Sequence, residues 1–157
     1  PFGLAQDIGV SNAEAKRYID NYFARYPQVR EFIDRTVDSA KVRGYVTTLF
    51  ERRRFIPELA SSTAAVRSFG ERTAVNTPIQ GTAADMIKRA MIRVHNKMAG
   101  MRSKMILQVH DELVFETTKA ETSKLSALVK DRMQRAVELA VPVEVEIGTG
   151  ANWLEAH

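Results

Sequence analysis

The chain has 157 residues, 45% of them hydrophobic and 27% charged, with a formal net charge of +4 and no cysteine. That composition is globular and of single-domain length, and it excludes disulfides and thiolate metal sites. Three scattered histidines exclude an ordinary zinc centre, so a bound metal is expected to be a hard cation held by oxygen.

No run of about 18 apolar residues is present, and the opening "PFGLAQDIGV" lacks a signal-type core, so the expectation is an intracellular protein without membrane association. Because the chain opens on Pro1 rather than methionine, it reads as an excised piece.

Ser11 followed by Glu14 forms a capping box and predicts a helix start. Ala15, Tyr18, Ile19, Tyr22 and Phe23 then recur on one helical face until Pro27. Pro27 suits the first turn of a second helix, with Val29, Phe32, Ile33, Thr36, Val37 and Ala40 as its inner stripe and Gly44 as its stop. "YVTTLF" and "RRFIP" predict two short strands with "ERR" at their turn, which places Arg52, Arg53 and Arg54 at a tip. "SSTAAVRSFGERTAV" has helical character without clear periodicity.

In "NTPIQGTAADMIKRAMIRVHNKMAG", Thr77 is expected to cap and Pro78 to open the longest helix. Its apolar face runs from Ile79 to Met98. Gly81 in its first turn costs of order 1 kcal/mol relative to alanine and signals either close approach of a partner to the backbone or tight helix packing. From Lys104 the pattern alternates, so Met105 to Val109 and "LVFET" form a hairpin around His110, Asp111 and Glu112. A final amphipathic helix from Ala120 to about Leu139 precedes "VPVEVEIG", which alternates as a last strand. The expected class is α+β, with helices on one face of an antiparallel sheet.

The charged hairpin is the feature to explain. A tight hairpin turn prefers Asn-Gly or Asp-Gly, and Asp111-Glu112 fits poorly. Local misfit without structural gain points to function. Adjacent carboxylates favour a counter-charge, either a basic side chain or a divalent cation. Three readings stand: an exposed polar turn, a His–Asp hydrolytic pair, and metal-assisted phosphoryl chemistry. No nucleophile elbow or cysteine supports the second. The third suits magnesium or manganese, which one or two carboxylates hold together with substrate phosphates.

"QVHDELVFE" closely resembles motif C of the family A DNA polymerases, and "NTPIQGTAADMIK" resembles the helix before that hairpin. "YFARYPQVREFI", "GYVTTLFERRRFIPEL" and "NWLEAH" extend the resemblance end to end. It implies template-directed nucleotidyl transfer by a two-metal mechanism, with Mg²⁺ or Mn²⁺ as cofactor. The implied partners are primer–template DNA, deoxynucleoside triphosphates and the remainder of a polymerase chain.

On the same resemblance, Asp111 is the metal-binding catalytic aspartate, Glu112 its auxiliary neighbour, and His110 lies near the primer terminus. Arg72, Asn76 and Gln80 match positions near the primer–template end, where donors meet minor-groove acceptors common to every correct pair. Arg52, Arg53 and Arg54 look like the family's basic turn, which would touch phosphates and position the duplex. The family commonly has glycine where this chain has Glu51, which weakens the turn as a phosphate site.

The resemblance further implies fingers-derived helices over about 1–50, palm over about 51–157, and a cytoplasmic, nucleoid-associated bacterial setting. It places motif A and its aspartate outside this chain, so the chain by itself is expected to be inactive. The alternative is a non-catalytic nucleic-acid-binding palm module. The coding sequence upstream of Pro1 distinguishes the two.

Overall fold

The computed structural model describes residues 1–156. The chain divides into two compact units, Pro1–Pro78 and Ile79–His157.

The first unit begins with α1 (Phe2–Ile8), closed by Gly9 in the left-handed region at φ 69°. Helix α2 (Asn12–Arg25) starts at the expected capping box: Glu14 N–H donates to Ser11 Oγ at 3.2 Å, and Ser11 N–H donates to the Glu14 carboxylate at 3.2 Å. Its expected inner face is only half realised, because Ala15 is buried while Tyr18 and Tyr22 stay exposed. Helix α3 (Pro27–Arg43) has Pro27 in its first turn and ends at Gly44, whose φ of 75° costs glycine no Cβ clash.

Strands β1 (Tyr45–Thr47) and β2 (Arg53–Phe55) pair antiparallel in the register Tyr45↔Phe55, Val46↔Arg54, Thr47↔Arg53. A short 3₁₀ turn (Pro57–Ala60) leads on to α4 (Ala64–Asn76). Ala40, Val46, Ile56 and Ala74, backed by Leu59, form the core. Its small residues allow close helix approach; a Cβ on Gly70 would come within 3.1 Å of the Leu59 amide nitrogen.

The expected helix start at Thr77 is corrected. Thr77 is helical at φ −61° and ψ −44°, and its hydroxyl donates back to the Thr73 carbonyl at 2.7 Å, so it extends α4 rather than capping a new helix. Pro78 cannot donate to the carbonyl of Ala74, and the backbone widens there into a π turn (Thr77–Gly81) before α5 (Thr82–Lys97). At 16 residues α5 is one shorter than α3 with 17, so it is not the longest helix.

In the second unit, β3 (Lys104–Val109) and β4 (Glu112–Glu116) form the predicted hairpin, with a bulge between Met105 and Leu107. Helix α6 (Thr122–Gln134) packs on α5. Val94, Met98, Leu125 and Val129 make the core, with Met105 and Phe115 of the hairpin laid against it. Each such buried side chain contributes roughly 1.5–3 kcal/mol.

Two expectations fail here. Helix α6 stops at Gln134 instead of Leu139: its last turn tightens, with the Ala136 amide donating to the Met133 carbonyl at 3.0 Å, and the Arg93 guanidinium donates to the Arg135 carbonyl. "VPVEVEIG" is no strand: the described residues form two separate two-stranded sheets, and without a partner strand its alternation has no ladder to join. A short α7 (Trp153–Ala156) follows, with Glu155 N–H donating to Asn152 Oδ1 at 3.1 Å.

Several large apolar side chains lie open: Ile79, Ile92, Ile106, Phe55, Val42 and Leu154 are all more than half exposed. Among the described residues, no helix is long and apolar enough to cross a membrane.

Candidate catalytic hairpin and nucleic-acid interface

The tip of the second hairpin is built by register. Val109 pairs with Glu112, which leaves His110 and Asp111 as the two turn residues. The sequence expectation of an Asp111-Glu112 turn is therefore shifted by one position, and Glu112 is the first, half-buried residue of β4. Two-residue hairpins need positive φ at their first turn position, and His110 supplies it at 52°. Histidine tolerates this region better than most side chains, yet such a conformation still stores of order 1 kcal/mol or more. The Gln108 side-chain amide donates to the His110 carbonyl at 2.9 Å and holds the turn. Sequence reading missed that support; its signal was an amide at a strand position one residue before half-buried Val109.

Asp111 is exposed at the apex. Among the described residues, no side chain bonds to its carboxylate, so the counter-charge that two adjacent acids favour is not a lysine or arginine paired to Asp111 here. The donor set is hard oxygen and suits Mg²⁺ or Mn²⁺. No group of three or more His, Asp or Glu side chains converges among the described residues, so Asp111 with Glu112 fits part of a coordination shell rather than a whole one.

The opposite end of the hairpin is clasped. The Glu121 carboxylate accepts from the Arg102 amide at 3.1 Å, the Ser103 amide at 2.9 Å and the Ser103 hydroxyl. Ser103 Oγ also meets Thr117 Oγ1 at 2.8 Å, which ties the residue before β3 to the residue after β4. The Ser103 hydroxyl, followed by the backbone amides, holds the Glu121 carboxyl below its ordinary value. This clasp fixes the base from which the acidic tip projects.

Gln80 lies exposed in the π turn. In the other unit, Arg72 and Asn76 stand four residues apart on α4, both exposed, so they share one helical face. The arginine triplet is not a single tip: the turn is Thr48 to Arg52, while Arg53 and Arg54 belong to β2 and point to opposite sheet faces. The Thr48 hydroxyl organises that turn, accepting from the Phe50 and Arg52 amides at 3.2 and 3.3 Å. Arg53 lies over the Tyr45 ring at 5.0 Å. Glu51 sits at φ 63°, which gives a backbone reason for the glycine the family resemblance expects there.

An acidic-tipped antiparallel hairpin laid against α5 and α6 makes the second unit an α+β arrangement. The family model described as DNA polymerase family A matches residues 1–155, and the chain belongs to that family. It is 46% identical to DNA polymerase I of Streptococcus pneumoniae over 99% of this chain and 18% of that protein. It is 49% identical to DNA polymerase I of Pseudomonas aeruginosa over 99% of this chain and 17% of that protein. Among solved structures it resembles the "POL domain of Pol1 from M. smegmatis complex with DNA primer-template and dNTP", with a TM-score of 0.94 and 47% identity over 99% of this chain and 28% of that one. The chain thus spans less than a fifth of the curated relatives cited.

Proposed function

We propose that this chain works as part of a longer DNA-directed DNA polymerase that extends a primer on a template in replication and repair. The observation that carries the reading is the exposed Asp111 apex between β3 and β4, followed by the half-buried Glu112. A divalent cation, Mg²⁺ or Mn²⁺, supplies charge neutralisation at the phosphates and activation of the attacking hydroxyl when bound. Asp111 holds that cation and Glu112 assists; the remaining carboxylate ligands come from the rest of the polymerase chain.

His110 and Gln80 lie beside the primer end, and Asn76 and Arg72 offer amide and guanidinium donors to minor-groove acceptors. Arg52, Arg53 and Arg54 meet backbone phosphates. The helices within about residues 1–50 belong to the fingers and about 51–157 to the palm, in a cytoplasmic, nucleoid-associated enzyme. The open apolar side chains, such as Val42, Phe55 and Leu154, support a chain that is covered by further polymerase structure in use.

Primer extension by the 157-residue chain, with and without the upstream polymerase segment supplied in trans, tests this. Extension is expected only when both are present. Extension by the chain alone, or none with both under conditions where the continuous enzyme is active, would contradict it.

A further inference from the structure

We infer that Glu51 limits how tightly the arginine turn holds duplex phosphates, so that the turn positions a duplex and still releases it. Among the described residues only Glu51 and His110 take a positive φ without being glycine. His110 belongs to the acidic apex, whereas Glu51, at 63°, belongs to no catalytic arrangement. Glycine would adopt that conformation without a Cβ penalty. A connection of five residues is not obliged to put a carboxylate at its strained position, so the strain points to a use for the charge.

The turn is held from inside by Thr48, which is 4% exposed. Its hydroxyl accepts from the Phe50 and Arg52 amides at 3.2 and 3.3 Å, its carbonyl accepts from the Glu51 amide at 3.0 Å, and its own amide donates to the Arg52 carbonyl at 3.0 Å. The amides of residues 50, 51 and 52 are therefore spent within the turn, and a phosphate there is met by side chains rather than by a backbone nest. Those side chains are one carboxylate followed directly by three guanidinium groups.

Glu51 is exposed, and its carboxylate makes no hydrogen bond or ion pair among the described residues. Arg53 lies over the Tyr45 ring instead of pairing with it. With neighbouring Cα atoms about 3.8 Å apart, a phosphate in contact with Arg52 lies within a Debye length of Glu51 and is repelled by it. The carboxylate thus acts on the ligand and not on the fold.

The inference rests on the polymerase reading, since a turn that touches no duplex has nothing to restrain. Release of labelled primer–template from the longer polymerase into excess unlabelled duplex, followed by fluorescence anisotropy, tests it. Glu51→Gln and Glu51→Gly should both slow release by roughly two- to fivefold at low salt, with the gap narrowing as salt rises. Glu51→Asp keeps the charge and should keep the parental rate.

An unchanged rate in Glu51→Gln would overturn the inference, as would a change confined to Glu51→Gly, which would assign the effect to backbone strain. Faster release from Glu51→Gln would overturn it too, and if confined to buffer with Mg²⁺ would make Glu51 a cation bridge to phosphate. Arg52→Gln separates this inference from the reading beneath it. That variant should release duplex faster; an unchanged rate would remove the turn as a phosphate contact, and this inference with it, while primer extension by the same protein would leave the polymerase reading standing.

Discussion

The two hairpins solve one backbone problem with opposite chemistry. In β1–β2 the connection runs five residues, from Thr48 to Arg52; a threonine hydroxyl organises it, Glu51 takes the positive φ, and arginines flank it. In β3–β4 only His110 and Asp111 connect the strands, His110 takes the positive φ, and the apex is acidic. A longer turn has room to place a strained residue without exposing a particular side chain. The two-residue turn has none, so its strain is coupled to where Asp111 projects. A polyanion contact tolerates the first arrangement, whereas a cation contact needs the second.

The largest expected difference between them is catalytic. In the longer polymerase, Asp111→Ala should reduce extension by roughly a thousandfold or more, since a metal ligand is worth several kcal/mol of barrier. Steady-state kinetics with matched DNA binding checks this, and near-normal turnover would remove the distinction between the hairpins. At the basic turn the effect should be on stability. Glu51→Gly relieves a left-handed conformation but adds chain entropy to the unfolded state, for a net gain of about 0.5–1 kcal/mol in thermal or denaturant unfolding. A loss of stability there would mean that the Glu51 carboxylate has a partner role.

The smallest effect concerns the clasp beneath the acidic hairpin. Because folding lowers the Glu121 carboxyl below its ordinary value of 4.5, its contribution is present above that pH and is lost as pH falls through the lowered folded value. Glu121→Gln should therefore flatten the acid limb of the stability profile and leave neutral to alkaline pH dependence alone. An acid limb identical to that of the parent would contradict the clasp.

Much of this was legible in the residues because it is local. The Ser11–Glu14 box, Pro27 and Gly44 all act within a few residues, and the structure has each where the sequence places it; the hairpin is there too, with its turn one residue earlier and a bulge in β3. The failures were of two kinds. Pro78 looks like a helix start until Thr77 is seen bonding back to Thr73 one turn earlier, and the carbonyl just past α6 is met by Arg93, 42 residues before Arg135. The tyrosines of α2 have helical periodicity but not the burial it suggested, and "VPVEVEIG" alternates without a strand to pair with. Side-chain type thus marked the hairpin tip as a candidate site, while the turn register that isolates Asp111 needed coordinates.

Counting bound Mn²⁺ by electron paramagnetic resonance in the longer polymerase, with primer–template and a non-hydrolysable nucleotide present, tests the acidic apex most directly. The parent should retain Mn²⁺ that the Asp111→Asn variant loses while both hold DNA equally. Equal Mn²⁺ occupancy in the two proteins would contradict the assignment of Asp111 as a metal ligand.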